Sequence, residues 1–455
     1  MELVLKRKYD HINYDGFDIY SIGLNPTTVI LHFSNIKTYL SVCESNFSLI
    51  IVKDNQLYYA AVDHIATYPI WISDDLVTDS WLEVENRKDR YTVNKLMKIE
   101  TYLGGGQNVS SKTLYNEVTR LLPNNFYSNN QMVEYRNIGL FHPFDINELS
   151  VKQYTIDLFN KLEQENNVLL CSSGTDSLFL INLAVNYGKK NWRFIHGFSE
   201  QDISNEFAIM FIIEQFYGIK IEKYSIDAES NAAVKDLVSL HDSQVYFQDY
   251  WNYEDQYLKQ VTMANARIQP DEFVWTGELG DQVFGSLKAT FPAISLVQTG
   301  KVDNMIDCLI DMTRMHNHSW TSDAKYNGFL IDKFKNDDWR AAYSNIHNDI
   351  KNLYKKITLK DAMMRSQLLC YMVTSPYFIL PYSQITDYKF IHLFSDFRLM
   401  QFALSLPSEK YFVNGKIKAV LKNIFEGEFP GVIDLPKTGP SMPTSRLREQ
   451  YRNKY

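Results

Sequence analysis

Residues 168–177 read Val-Leu-Leu-Cys-Ser-Ser-Gly-Thr-Asp-Ser, and this junction constrains the chain more than any other stretch. Val168 to Cys171 is a short apolar run of the kind that forms a buried strand. It breaks into the small residues Ser172, Ser173, Gly174 and Thr175, and from Leu178 to Ala184 the pattern becomes helical. A strand that turns through small residues into a helix aims unpaired backbone N–H groups and the positive end of the helix dipole at one point. Phosphate suits that point. Asp176 would repel a bare phosphate, but its carboxylate makes sense if it holds a Mg²⁺ that phosphates share. A polar turn with no ligand has the same outline, so the rest of the chain must decide.

A second junction lies at 273–285, where Phe-Val-Trp-Thr runs into Gly277-Glu278-Leu279-Gly280-Asp281 and on to Phe284-Gly285. At the carboxyl edge of a parallel sheet such a turn faces the ligand crevice, and Asp281 and Asp176 would there share one metal ion. Strands expected over Arg193–Phe198 and Ile219–Ile226 alternate with helices expected over Asn205–Tyr217 and Asn231–Leu240. That alternation implies a parallel sheet with right-handed crossovers. Residues 300–425 read as largely helical. His316 and His318 have no third ligand at sensible spacing, so they read as a solvated loop.

These segments resemble known ones. Ser-x-Gly-x-Asp-Ser over Ser172 to Ser177 lacks the Gly-Lys-Ser/Thr ending of a Walker loop. It is similar to the pyrophosphate loop (PP-loop) of the ATP pyrophosphatases, which activate a carboxyl oxygen with AMP; Ser173 stands where that loop has its second glycine. Thr276, Gly277, Glu278, Asp281, Phe284 and Gly285 match the Ser-Gly-Glu-Gly-x-Asp-Glu-x-Phe-Gly segment of asparagine synthetases, with Leu279 and Gln282 as departures. Phe402-Ala403-Leu404-Ser405-Leu406-Pro407, Gly415-Lys416 and Pro436-Lys437-Thr438-Gly439 follow in that family's order, and Asp396-Phe397-Arg398-Leu399 resembles its Asp-His-Arg-Leu. His196-Gly197-Phe198 resembles the segment near the adenine pocket. The resemblance runs from about residue 150 to 445. It implies ATP and Mg²⁺ as cofactors, with Ser172, Ser173, Gly174, Thr175, Asp176, Ser177, His196, Gly197, Phe198 and Gly277 at the nucleotide. Asp176 and Asp281 would hold the metal, and Lys437 would face the acyl-adenylate.

The N-terminal third has apolar or alternating runs at Phe17–Ile22, Thr28–Phe33, Phe47–Val52, Leu57–Val62 and Tyr68–Ile72, separated by turn signals such as Lys53-Asp54-Asn55. That is the pattern of an antiparallel sheet. Ala61-Val62-Asp63 with Tyr68-Pro69-Ile70 resembles class II glutaminase domains, and Lys112 to Val118 with Leu122 to Asn125 resembles the segment joining glutaminase to ligase. Such glutaminases use an N-terminal cysteine whose own amine is the base. Position 2 is Glu, which does not favour removal of Met1, and Cys43 lies in a strand-like stretch. The expected architecture is therefore α/β in two parts. Residues 1–148 form a degenerate, antiparallel α+β Ntn-hydrolase-like domain. Residues 149–455 form a doubly wound parallel-sheet ATP-pyrophosphatase domain with a helical C-terminal part.

The function implied is ATP-dependent carbon–nitrogen ligation through an acyl-adenylate, with AMP and pyrophosphate released and no glutamine used. The partners are a small-molecule or peptide carboxylate and an amine or ammonia. Glu278 would accept the proton of the attacking amine. β-Lactam synthetases carry a tyrosine at the position of Glu278 and a Glu-x-Arg-x-Pro-Phe-Leu-Asp segment where this chain reads Lys389 to Asp396, which argues against β-lactam chemistry. Two further classes stay open: a lasso-type macrolactam cyclase acting on a ribosomal peptide, and a non-catalytic member that binds nucleotide or a partner. Lys plus Arg number 46 against 54 Asp plus Glu, a net charge of −8 with no basic stripe, so nucleic acid is not an expected partner. No apolar run approaches the ~20 residues of a membrane helix, and Met1 to Lys8 lacks a signal-peptide core. Four dispersed cysteines fit reduced thiols in a cytoplasmic protein, and a homodimer is left open.

Overall fold

The computed structural model describes residues 1–97, 111–136, 148–198, 206–225, 259, 262–284, 341, 345, 388–405 and 418–431. Three two-residue hairpins organise the N-terminal region. β2 (Asp10–Tyr14) and β3 (Phe17–Ile22) meet at Asp15-Gly16, β4 (Ser48–Lys53) and β5 (Gln56–Val62) at Asp54-Asn55, and β9 (Asn125–Ser128) and β10 (Gln131–Glu134) at Asn129-Asn130. All six turn residues have positive φ, between 50 and 77°. Gly, Asn and Asp tolerate that conformation best, and its twist matches the flanking strands. The result is a six-stranded antiparallel sheet, β10-β9-β5-β4-β3-β2.

Side-chain alternation decides what each face of this sheet covers. Ile19, Leu49, Ile51 and Ala61 pack with Val29, Ile36 and Leu40 from α1 (Pro26–Leu31) and α2 (Ile36–Val42). Ile50, Val52, Ala60 and Val62 pack the other way, with Ile70, Ile72, Val77 and Leu121. Those lie on or beside a four-stranded sheet of β1 (Glu2–Val4), β6 (Trp71–Ile72), β7 (Leu76–Thr78) and β8 (Thr119–Arg120), ordered β1-β7-β6-β8. A short helix, α3 (Trp81–Glu85), follows β7. The strand expected over Thr28–Phe33 is instead helix α1. Its β-branched residues favour a strand, but Asn25 Oδ1 accepts from Thr27 N and Pro26 occupies the first turn, and these helix-start signals prevail. Cys43 ends α2 rather than lying in a strand.

Beyond the antiparallel region the chain forms a five-stranded sheet, ordered β13-β12-β11-β14-β15, in which every neighbouring pair is parallel. β11 is Asn166–Leu170, β12 Asn191–Phe198, β13 Ile221–Ser225, β14 Glu272–Trp275 and β15 Lys389–Ile391. Helices α4 (Glu148–Leu162), α5 (Thr175–Tyr187), α6 (Glu206–Tyr217), α7 (Gly280–Phe284), α8 (Phe397–Ser405) and α9 (Ala419–Ile424) accompany it. The helix expected over Asn231–Leu240, most of 300–425 and the His316–His318 pair lie outside the described residues. Among the described residues no helix is long and apolar enough to cross a membrane. Cys43 and Cys171 are free thiols, and burial pushes both above the ordinary thiol range.

One apolar cluster joins both faces of the regions. Phe159 of α4 stacks near Trp192 and Trp275, at 5.5 and 5.2 Å between ring centroids. Phe179 of α5 meets Phe394 and Phe425 at 5.7 and 5.0 Å. Ile65, from the N-terminal region, belongs to the same cluster. Phe179→Ala is expected to cost about 3–5 kcal/mol in unfolding free energy, because the cavity would lie between helices that cannot close on it; urea titration measures this.

Candidate functional site

The strand order runs β11, β12, β13 to one side and β14, β15 to the other, so the topological switch lies between β11 and β14. In open parallel sheets, ligands bind outside the carboxyl ends of the strands at that switch. The loop 171–174 leaves β11 there. Ser172 N donates to Ser177 Oγ (2.8 Å), Gly174 N donates to Ser172 Oγ (3.3 Å), and Cys171 N donates to Ile195 O (2.7 Å), which folds the loop back on itself. Gly174 caps α5 with extended backbone and no side chain, so the first amides of the helix have no side-chain cap. That is the local geometry expected of Ser172 to Ser177.

The glycine turn after β14 closes on this loop. A Cβ on Gly277 would stand 3.0 Å from Asp176 Cβ, and one on Gly280 would stand 2.2 Å from Asp176 Cγ. Only glycine at 280 leaves the Asp176 carboxyl where it is. Between them Leu279 is buried at φ +70°, the conformation glycine adopts freely and a leucine adopts at a cost of order 1–3 kcal/mol. Asp281 follows Gly280 at the start of α7, so the backbone brings the second acid to the turn that touches Asp176; its side chain lies outside the described set.

Lys418 is the partner that sequence reading missed. It lies 242 residues from Asp176, yet its ammonium donates to Asp176 Oδ2, with 3 % of the lysine side chain and 15 % of the aspartate exposed. Lys418 precedes α9 with φ +53°, a second strained non-glycine residue at the crevice. The segment it begins is anchored through Glu428, which accepts from Asn182 Nδ2 and Tyr187 Oη (2.9 Å each) and pairs with Lys152, while Tyr217 Oη donates to Glu428 O (2.9 Å). The Gly415-Lys416 signal stopped two residues short of Lys418.

Around the loop, Ser173 is turned away from the crevice centre. Both its N and Oγ donate to Glu206 Oε1, at 2.9 and 3.1 Å, and Glu206 opens α6 almost fully buried. His196 Nδ1 donates to Cys171 O (2.9 Å), fixing the imidazole behind the loop. Gly197 and Phe198 end β12 at the same edge, with Phe198 edge-on to Phe207 at 5.5 Å.

On the far side of the switch, Glu278 pairs with Lys259. Thr276 Oγ1 shares a hydrogen with His392 Nδ1 at 3.0 Å across β14 and β15. Burial, helped by the Lys259 charge, pulls the His392 imidazole down to about 4, so it is neutral at physiological pH. Lys437 lies outside the described residues.

The site thus lies at the switch point of a parallel sheet, with a helix start that no side chain caps and an aspartate held between a buried lysine and a glycine turn. No protein-family model matches the chain, and no curated protein matches it.

Proposed function

We propose that the protein is an ATP-dependent carbon–nitrogen ligase that activates a carboxylate as its acyl-adenylate and releases pyrophosphate. The Asp176 constellation carries the reading: a hard carboxylate at a phosphate-binding helix start, touched by Lys418 and by the glycine turn that delivers Asp281. Asp176 and Asp281, both hard oxygen donors, suit Mg²⁺, which when bound supplies neutralisation of phosphate charge. The amides at the start of α5, which no side chain caps, bind the departing pyrophosphate, while Ser172, Ser173 and Gly174 N–H donate within the protein and shape the loop. Lys418, already in the crevice, moves its charge from Asp176 to phosphate oxygens. His196, Gly197 and Phe198 flank the base, and Lys437 stabilises the acyl-adenylate; a fixed charge in a dry site lowers a barrier by about 3 kcal/mol. Glu278, paired with Lys259, takes the proton from the attacking amine.

The N-terminal region is a structural partner of this site rather than a glutaminase. Residue 2 lies in strand β1, and neither described cysteine has a free α-amine or a lowered thiol pKa. Its contacts reach the ligase half directly: Asn46 Nδ2 donates to Ser395 Oγ (3.0 Å), His64 Nε2 donates to Ser395 O (2.9 Å), and Arg136 lies over the Phe397 ring.

A second reading, a nucleotide-binding protein without catalysis, draws on Glu206: its carboxylate holds Ser173, adding negative charge beside the proposed phosphate loop. Purified protein with ATP, Mg²⁺ and pooled carboxylic acids separates the two. The ligase exchanges labelled pyrophosphate into ATP in an acid-dependent manner, and glutamine leaves the rate unchanged. ATP binding without exchange favours the second reading.

A further inference from the structure

We propose, building on the ligase reading, that His392 is the residue that orients the acyl acceptor: its Nε2 accepts a hydrogen bond from the N–H of a neutral attacking amine at the carboxyl ends of β14 and β15. His392 is 9 % exposed, and its Nε2 is buried without a hydrogen-bond partner among the described residues. Buried polar atoms are almost always satisfied, so a nitrogen left open at the carboxyl end of β15 points to a ligand atom. Its other nitrogen is committed. In the tautomer whose Nδ1–H donates to Thr276 Oγ1, one of the two directions this 3.0 Å contact allows, Nε2 carries the lone pair.

The location fits the acceptor rather than the nucleotide. The phosphate loop follows β11, and β12 and β13 lie to one side of it; Thr276 and His392 follow β14 and β15 on the other. An adenylate phosphate at the switch therefore places its acyl group, and whatever attacks it, toward His392. Burial, with the Lys259 charge second to it, keeps the imidazole neutral, and a buried neutral imidazole pairs best with an uncharged amine. In the step itself the amine lone pair forms the C–N bond, the acyl C–O bond to the phosphate breaks, and AMP leaves with that electron pair. The nitrogen's proton passes to Glu278, and His392 keeps its own. His392 is held from behind: its carbonyl accepts from Ser395 Oγ (2.7 Å), which in turn accepts from Asn46 Nδ2 (3.0 Å). The N-terminal region thus grips the turn that aims the imidazole.

The test uses hydroxylamine, a small neutral amine at pH 7.5, as acceptor, with the acid that supports exchange and the full-length chain. His392→Asn keeps a polar atom near the Nδ1 position and loses the one at Nε2; His392→Gln restores a polar atom near the Nε2 position. The expected result is that His392→Asn lowers the ratio of hydroxamate formation to pyrophosphate exchange at least tenfold, chiefly through the KM for hydroxylamine, and that His392→Gln recovers part of it. Far-ultraviolet circular dichroism reports folding of both. An unchanged ratio overturns the assignment of His392 while leaving the ligase reading intact, and so does equal loss of both activities. Absence of exchange by the unaltered protein overturns the ligase reading and this inference together.

Discussion

Asp176→Asn is expected to abolish pyrophosphate exchange, a loss of about a hundredfold or more, and to destabilise the fold at the same time. The two effects have separate causes. The first is loss of an anionic oxygen at the loop proposed to hold phosphate. The second arises because Lys418, with 3 % of its side chain exposed, is deprived of the carboxylate it meets. Removing one member of a buried pair typically costs about 3–5 kcal/mol, whereas replacing both members with apolar or neutral groups is often close to neutral. Asp176→Asn combined with Lys418→Met should therefore recover much of the stability in denaturant titrations and none of the exchange. A double variant as unstable as the single one would show that the pair is not what couples the C-terminal segment to the loop.

Acid is expected to destabilise the protein through two buried imidazoles, against a smaller opposing effect of Asp63, whose carboxyl burial raises to about 6. Two buried histidines are neutral in the native state: His392, lowered to about 4 by burial and Lys259, and His64, lowered to about 3 by burial, with the Arg136 charge adding to it and its bond to Ser395 opposing. A group whose folded pKa is depressed contributes stability that is present above its unfolded pKa and is lost as pH falls toward the folded value. The unfolded chain takes up these protons from about pH 6.5 downward and the native state does not. At pH 4.5 each histidine would have lost about 2–3 kcal/mol of its contribution, from the ~1.4 kcal/mol per pH unit of differential proton binding. Urea midpoints measured from pH 7.5 to 5 should fall, less steeply below about pH 6, where protonation of Asp63 in the native state offsets part of the histidine effect. The variant carrying His64→Gln and His392→Gln should start lower and show a much flatter dependence. An unchanged slope would mean that both imidazoles charge freely in the native protein.

These histidines also mark where sequence reading ends. The junction at 168–177 was legible because each element is local: an apolar run, small residues, then helical spacing. The strands at 193–198 and 219–226 were placed within about two residues, observed as Asn191–Phe198 and Ile221–Ser225. Thr28 to Phe33 misled because β-branched residues outweighed the Asn25-Pro26 start signal in a short window. Leu279 departs from the family's glycine pattern, yet its backbone adopts the left-handed conformation and its side chain is buried. Nothing local announces that Lys418 meets Asp176, that Glu206 takes the Ser173 hydroxyl, or that Thr276 and His392 share a hydrogen across 116 residues of chain. Such pairs are set by strand order and register, which a single sequence does not encode in any short pattern. Glu278 matches the family segment, but its pairing with Lys259 has no local signature, because the lysine lies outside that segment.

The most direct measurement is exchange of labelled pyrophosphate into ATP by the purified full-length protein, with and without Mg²⁺ and across a panel of carboxylic acids. Label is expected in ATP only when both the metal and a suitable acid are present, and none with Asp176→Ala. Acid-dependent exchange that persists in Asp176→Ala, or no exchange from the unaltered protein with any acid offered, would contradict it.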